Sequence, residues 1–61
     1  IIVEDDCWIC ADAFIGPDVT LGAASIIGAR CVLFKSTVQR GIYVGNPGKL
    51  IKKRKRNYKK L

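Results

Sequence analysis

The groups able to do chemistry in this 61-residue chain are three cysteines, five carboxylates and eleven lysines and arginines. Cys7-Trp8-Ile9-Cys10 has the Cys-x-x-Cys spacing of a redox pair or of half a zinc site. A redox pair needs its first thiol at a helix N-terminus, where the dipole lowers the pKa. A structural zinc needs four ligands, and Cys31 is the one other thiol in a chain without histidine. Neither chemistry is complete, so no metal is expected. Cys7 and Cys31 read as interior filling, and Cys10 as a residue near the surface. The odd set of thiols argues against a disulfide framework and fits a reducing cytoplasm. Lack of histidine excludes a Ser-His or Cys-His nucleophile, and a three-histidine metal site, within the segment. Glu4, Asp5, Asp6 and Asp18 read as solvated corner residues. No catalytic residue can be assigned.

Charge is divided along the chain. All five acids lie between Glu4 and Asp18, whereas eight of the eleven bases lie from Lys49 onward, within a net charge of +6. A basic tail over residues 53–61 attracts phosphates, nucleic acid or anionic membrane, and it is also a common solvated way to end a domain. Gly or a charge interrupts every apolar run well short of the roughly 18 residues of a membrane span.

The elements that must position these groups follow from a beat of six. Val3, Ile9, Ile15, Leu21, Ile27 and Leu33 are evenly spaced, and small or compact residues follow each at the fourth position. That period fits neither an amphipathic helix nor a plain alternating strand. It is the signature of a parallel β-helix whose short strands each form one face of a coil. With eighteen residues per coil, Val3 stacks under Leu21, Ile9 under Ile27 and Ile15 under Leu33. The glycines at 16, 22 and 28 are expected at corners that need φ > 0. Gln39 breaks the beat, which divides the chain into an all-β repeat over 1–38, a closing segment over 39–52 and a polybasic tail over 53–61. Within the closing segment, Gly41-Ile42-Tyr43-Val44 reads as a short strand and Pro47-Gly48 as the centre of a type II turn. Leu50 and Ile51 offer apolar surface to fold the tail back. Two coils are a small core, and about three or more repeat units are needed for stability. The segment is therefore expected to belong to a longer β-helical chain or to depend on partner subunits.

The repeat followed by Val44-Gly45-Asn46-Pro47-Gly48-Lys49-Leu50-Ile51-Lys52 resembles the C-terminal end of hexapeptide-repeat O-acetyltransferases, which include the maltose and galactoside enzymes. Trp8 through Pro17, with Gly28-Ala29-Arg30, is similar to the colanic-acid-biosynthesis type that acts on exopolysaccharide sugars. The resemblance covers residues 3–54. It implies a left-handed parallel β-helix, a homotrimer, and acetyl-CoA as co-substrate in a cleft between neighbouring coils. It places Trp8 at the acyl end of that cleft, Ala11 facing the cofactor arm and Ala29 beside the pantetheine. Phe34 and Lys35 fall at the nucleotide end, with Lys49 and Lys52 near the phosphates. The family's catalytic histidine lies upstream of these residues, so the segment is expected to supply donor site and no acceptor chemistry. Phe34 and Gly48 depart from a smaller residue and an alanine in relatives.

The residues also admit two rival readings. One is a non-catalytic β-helical module whose basic tail binds nucleic acid or anionic membrane; no base-reading element is visible, so nucleic acid is not expected. The other is an acyl- or nucleotidyltransferase of another substrate class on the same core.

Overall fold

The structure, a computed structural model, describes residues 1–55. The tail's Arg56, Lys59 and Lys60 therefore lie outside the described residues. Six two-residue strands alternate with corners: β1 (Ile2–Val3), β2 (Trp8–Ile9), β3 (Phe14–Ile15), β4 (Thr20–Leu21), β5 (Ile26–Ile27) and β6 (Val32–Leu33). Two longer strands follow, β7 (Gly41–Val44) and β8 (Lys49–Lys53).

The pairing is parallel and sits at the expected offset of eighteen. Val3 stands beside Leu21, Ile9 beside Ile27 and Ile15 beside Leu33. Each pair is flanked by backbone bonds of 2.8–3.0 Å, such as Trp8 N–H to Ser25 O and Phe14 N–H to Cys31 O. The aliphatic beat points inward, so Leu21 and Ile27 are fully buried, with Val19, Cys31 and Leu33 around them. Each such side chain contributes about 1.5–3 kcal/mol through burial. At the lower end the same inward column is open, and Val3 and Ile9 are 51% and 41% exposed.

The corners correct one expectation. Left-handed backbone falls on Asp6, Asp12, Asp18, Ala24, Arg30 and Arg40, with φ between 59° and 62°, and not on glycines 16, 22 or 28. Aspartate tolerates that conformation because its short side chain bonds locally, which explains the acidic corners of the first coil. The repeat glycines serve space instead. A Cβ on Gly22 would meet the backbone of Thr37 and Gln39 at 2.9 Å, because the next coil passes directly over it.

Stacking also continues past residue 38. Strand β7 joins β5 in parallel, with Ile42 beside Ile26 and Tyr43 beside Ile27, an offset of sixteen. The two residues are lost between Leu33 and Thr37, since Thr37 N–H already reaches Thr20 O at 3.0 Å, and over 36–40 side chains replace part of the ladder. Ser36 Oγ accepts from Thr20 N–H at 2.9 Å and Thr37 Oγ1 from Gly22 N–H at 2.9 Å. Buried Ser25 Oγ lies 2.6 Å from Gly22 O and 2.8 Å from Thr37 Oγ1. The Tyr43 hydroxyl accepts from Val38 N–H at 2.9 Å.

Strand β8 then returns antiparallel on β7, giving a sheet ordered β2-β5-β7-β8 beside the two-stranded sheets β1-β4 and β3-β6. The turn between them differs from the expected type II. The Asn46–Pro47 peptide is cis, and the left-handed residue is Gly45, at φ 94°, rather than Gly48. Gly48 packs inward, where an added Cβ would meet Cys31 Sγ and Leu33 Cδ2 at 2.6 Å.

Candidate functional site

The shortened third coil leaves an opening at the upper end of the sheet formed by β3 and β6. Gly45 O accepts from Val32 N–H at 3.0 Å, and Gly48 N–H donates to Val32 O at 2.7 Å. The turn is thereby bracketed over Val32, and among the described residues no third strand covers Leu33. The result is a cavity of about 400 Å³ lined by Val32, Leu33, Phe34, Lys35, Ser36, Tyr43, Pro47, Gly48 and Lys49. Its walls are apolar and aromatic, with two lysines among them. That combination suits a ligand with a flat, apolar body and anionic groups.

Phe34, Lys35 and Lys49 are thus brought to one place. Phe34 is 65% exposed, and its ring stands 5.7 Å from that of Phe14, tilted by 51°. Sequence reasoning missed Tyr43 as a member of this cavity. Its signal, an aromatic stacked on Ile27, is hidden by the change of offset from eighteen to sixteen.

The remaining candidates sit on neighbouring surfaces. Trp8, 63% exposed, starts a column on the outer face of the four-stranded sheet. Register continues that column through Ile26 and Ile42 to Lys52. Three strand steps of about 4.8 Å separate its ends. Ala11 and Ala29 are exposed at the corner between this sheet and β3-β6, and Arg30 N–H donates to Ala11 O at 2.9 Å, so the second corner rides on the first. An alanine there leaves the corner backbone open to an approaching chain. Trp8, the alanine corner and the cavity therefore lie on contiguous parts of the coil exterior, with Lys52 at the upper edge.

The cysteines make no shared site. Cys7 Sγ donates to Gly22 O at 3.2 Å, and burial pushes the Cys31 thiol up from its ordinary value. A buried neutral thiol is a packing group.

The bacterial transferase hexapeptide family, defined by six repeats, matches residues 1–35. The chain belongs to that family. Its fold is accordingly the left-handed parallel β-helix, whose crossovers run opposite to the usual right-handed rule. A protein of Escherichia coli named as a colanic acid biosynthesis acetyltransferase is 37% identical over 54 residues, covering 88% of this chain and 30% of that protein. A chloramphenicol acetyltransferase of Agrobacterium fabrum is 38% identical over 53 residues, 87% of this chain and 25% of its own. A protein of Lysinibacillus sphaericus named as a macrolide acetyltransferase is 42% identical over 53 residues, 87% and 29% respectively. The chain therefore spans less than a third of the length of these relatives. No solved structure gives a significant match.

Proposed function

We propose that this segment forms part of the donor site of an acetyl-CoA-dependent O-acetyltransferase acting on a sugar or exopolysaccharide hydroxyl, assembled as a homotrimer. The observation that carries this reading is the convergence of Lys35 and Lys49 on an apolar cavity walled by Phe34 and Tyr43. Acetyl-CoA is an extended polyanion with a purine at one end and an amide-rich arm, and these groups fit it. The nucleotide end lies in the cavity, with Lys35 and Lys49 on its phosphates. The arm runs past Ala29 and Ala11, where small side chains leave the corner backbone open to it. Trp8 borders the acyl end and keeps water from it, while Lys52 adds positive charge near the phosphates. Neighbouring subunits close the cleft from outside against the exposed Trp8 and Phe14.

Bound acetyl-CoA supplies an activated acetyl group, which passes to the acceptor oxygen as the CoA thiol leaves. This chain has no histidine, and none of its residues is assigned to the proton transfer. Its part is to bind and orient the donor. The three thiols are free, which fits a reducing cytoplasm.

Lys35→Glu in the full-length protein tests the reading. The KM for acetyl-CoA should rise by about tenfold, a loss of about 1.4 kcal/mol, with kcat and the acceptor KM nearly unchanged. An unchanged KM removes Lys35 from the site. A second reading has one observation in its favour: β8 exposes Lys49, Lys52 and Lys53 with Leu50 and Ile51 between them. Such a strand fits an anionic membrane surface. Salt-sensitive binding to anionic vesicles, lost on removing residues 53–61 and indifferent to acetyl-CoA, would favour that alternative.

A further inference from the structure

Strand β8 does not pair with β7 in the plainest way available. Val44 faces Lys49 and Tyr43 faces Leu50, but Ile42 then faces Lys52 and Gly41 faces Lys53. Ile51 is an unpaired bulge. Without the bulge, Ile51 would stand opposite Ile42, an apolar cross-strand pair that favours itself. Lys52 would move to Gly41 and turn to the other face, because a slip of one residue reverses every side chain. The bulge therefore decides whether a lysine or an isoleucine caps the outer column that begins at Trp8.

One residue beyond β8 holds the bulged register. Arg54 N–H donates to Arg40 O at 2.7 Å, which continues the shifted pairing by one more step. Arg54 Nη1 donates to Ala24 O at 3.2 Å and to Asp6 O at 3.4 Å. Asp6, Ala24 and Arg40 are the left-handed corners of three successive coils, with φ of 62°, 62° and 61°. They stack through Ala24 N–H to Asp5 O and Arg40 N–H to Ala23 O, both 2.8 Å. Arg54 thus touches all three corners of one column. In the unbulged register Lys53 would stand at Arg40, and the guanidinium would be carried past the column. Both bonds leave from one terminal nitrogen, Nη1, and a lysine side chain, one atom shorter, stops short of the two stacked carbonyls.

We propose that Arg54 is a positioning residue: it locks β8 in the bulged register and so places Lys52, instead of Ile51, on the outer face above Trp8, Ile26 and Ile42. Its consequence for acetyl-CoA rests on the donor-site reading given above.

The test uses the full-length protein with Arg54→Met, Arg54→Lys, and Arg54→Met combined with deletion of Ile51. A crystal structure of Arg54→Met should show Ile51 opposite Ile42, and the KM for acetyl-CoA should rise three- to tenfold with kcat within twofold. Arg54→Lys should behave the same way, since its side chain is one atom shorter and its nitrogen does not reach the two carbonyls. Deleting Ile51 removes the bulge, so an ordinary ladder then sets Lys52 opposite Ile42. That double variant should recover the parent KM to within twofold, an outcome that general destabilisation would not produce. Retention of the Ile42–Lys52 pairing in Arg54→Met overturns the proposal, as does an unrescued KM in the double variant. Lys52→Gln separates the two ideas. If it leaves the KM unchanged, the donor-site role of Lys52 fails, and the register seen in the Arg54→Met crystal alone decides the proposal.

Discussion

From Ile2 to Leu33 each coil repeats the one below through backbone ladders at a constant offset. From Ser36 to Arg54 side chains supplement the backbone ladders: Ser25 Oγ donates to Val38 O, the Thr37 and Tyr43 hydroxyls accept from Gly22 N–H and Val38 N–H, and Arg54 pins the last strand. The first region is specified by pattern, because a large aliphatic residue at each step of the beat satisfies it. The second is specified residue by residue, and it contains the cavity. Regular coils supply a rigid wall, and the break in regularity supplies a place for a ligand. This is the usual division between a scaffold and the irregular segments it carries.

Substitutions can break or sharpen this contrast, measured as unfolding free energy of the full-length protein. The largest effect belongs to the regular core. Ile27→Ala, at a fully buried position, should cost about 2–5 kcal/mol. Loss below about 1 kcal/mol would mean that the ladders, not the packed column, hold the coils. Next comes the junction of the two regions. Gly22→Ala forces a methyl against the Thr37 and Gln39 backbone at 2.9 Å and should cost about 1–3 kcal/mol.

Ser25→Ala follows, at about 1–3 kcal/mol. It leaves Thr37 Oγ1 and Val38 O short of a buried partner where Ser25 Oγ stands 2.8 and 3.1 Å away. The deficit should show as disorder of residues 36–40 with β1 to β6 intact. An equal loosening of both regions would refute the division. The smallest effect is a gain. Arg30→Asn, at an exposed corner with φ 60°, should stabilise by about 0.5 kcal/mol, because asparagine enters the left-handed region more readily. No gain would show that Arg30 has a compensating contact in the assembled protein.

The beat of six alone carries the stacking of Val3 with Leu21, Ile9 with Ile27 and Ile15 with Leu33. Period alone fixes which residues share a column once strands alternate inward and outward. It carried less at the corners. Glycine was the obvious candidate for φ > 0, yet the left-handed positions went to Asp6, Asp12, Asp18, Ala24, Arg30 and Arg40. The glycines were taken up by a demand invisible along the chain, the close passage of the next coil. For the site, the family resemblance pointed to Phe34, Lys35 and Lys49, but Tyr43 was hidden. Two deleted residues shift its column, and a period cannot register its own interruption.

The sequence by itself determined the repeat, the inward aliphatic columns and the separation of acidic and basic ends, since each is a matter of spacing or composition. Only the tertiary structure decided where the regular coil gives way, that β7 restacks at an offset of sixteen, and that β8 bulges at Ile51. Those outcomes turn on long-range contacts, Gly48 against Cys31 and Leu33, and Arg54 against corners 48 and 30 residues earlier. Local preference was indifferent among the registers there, and packing against the coil below chose one.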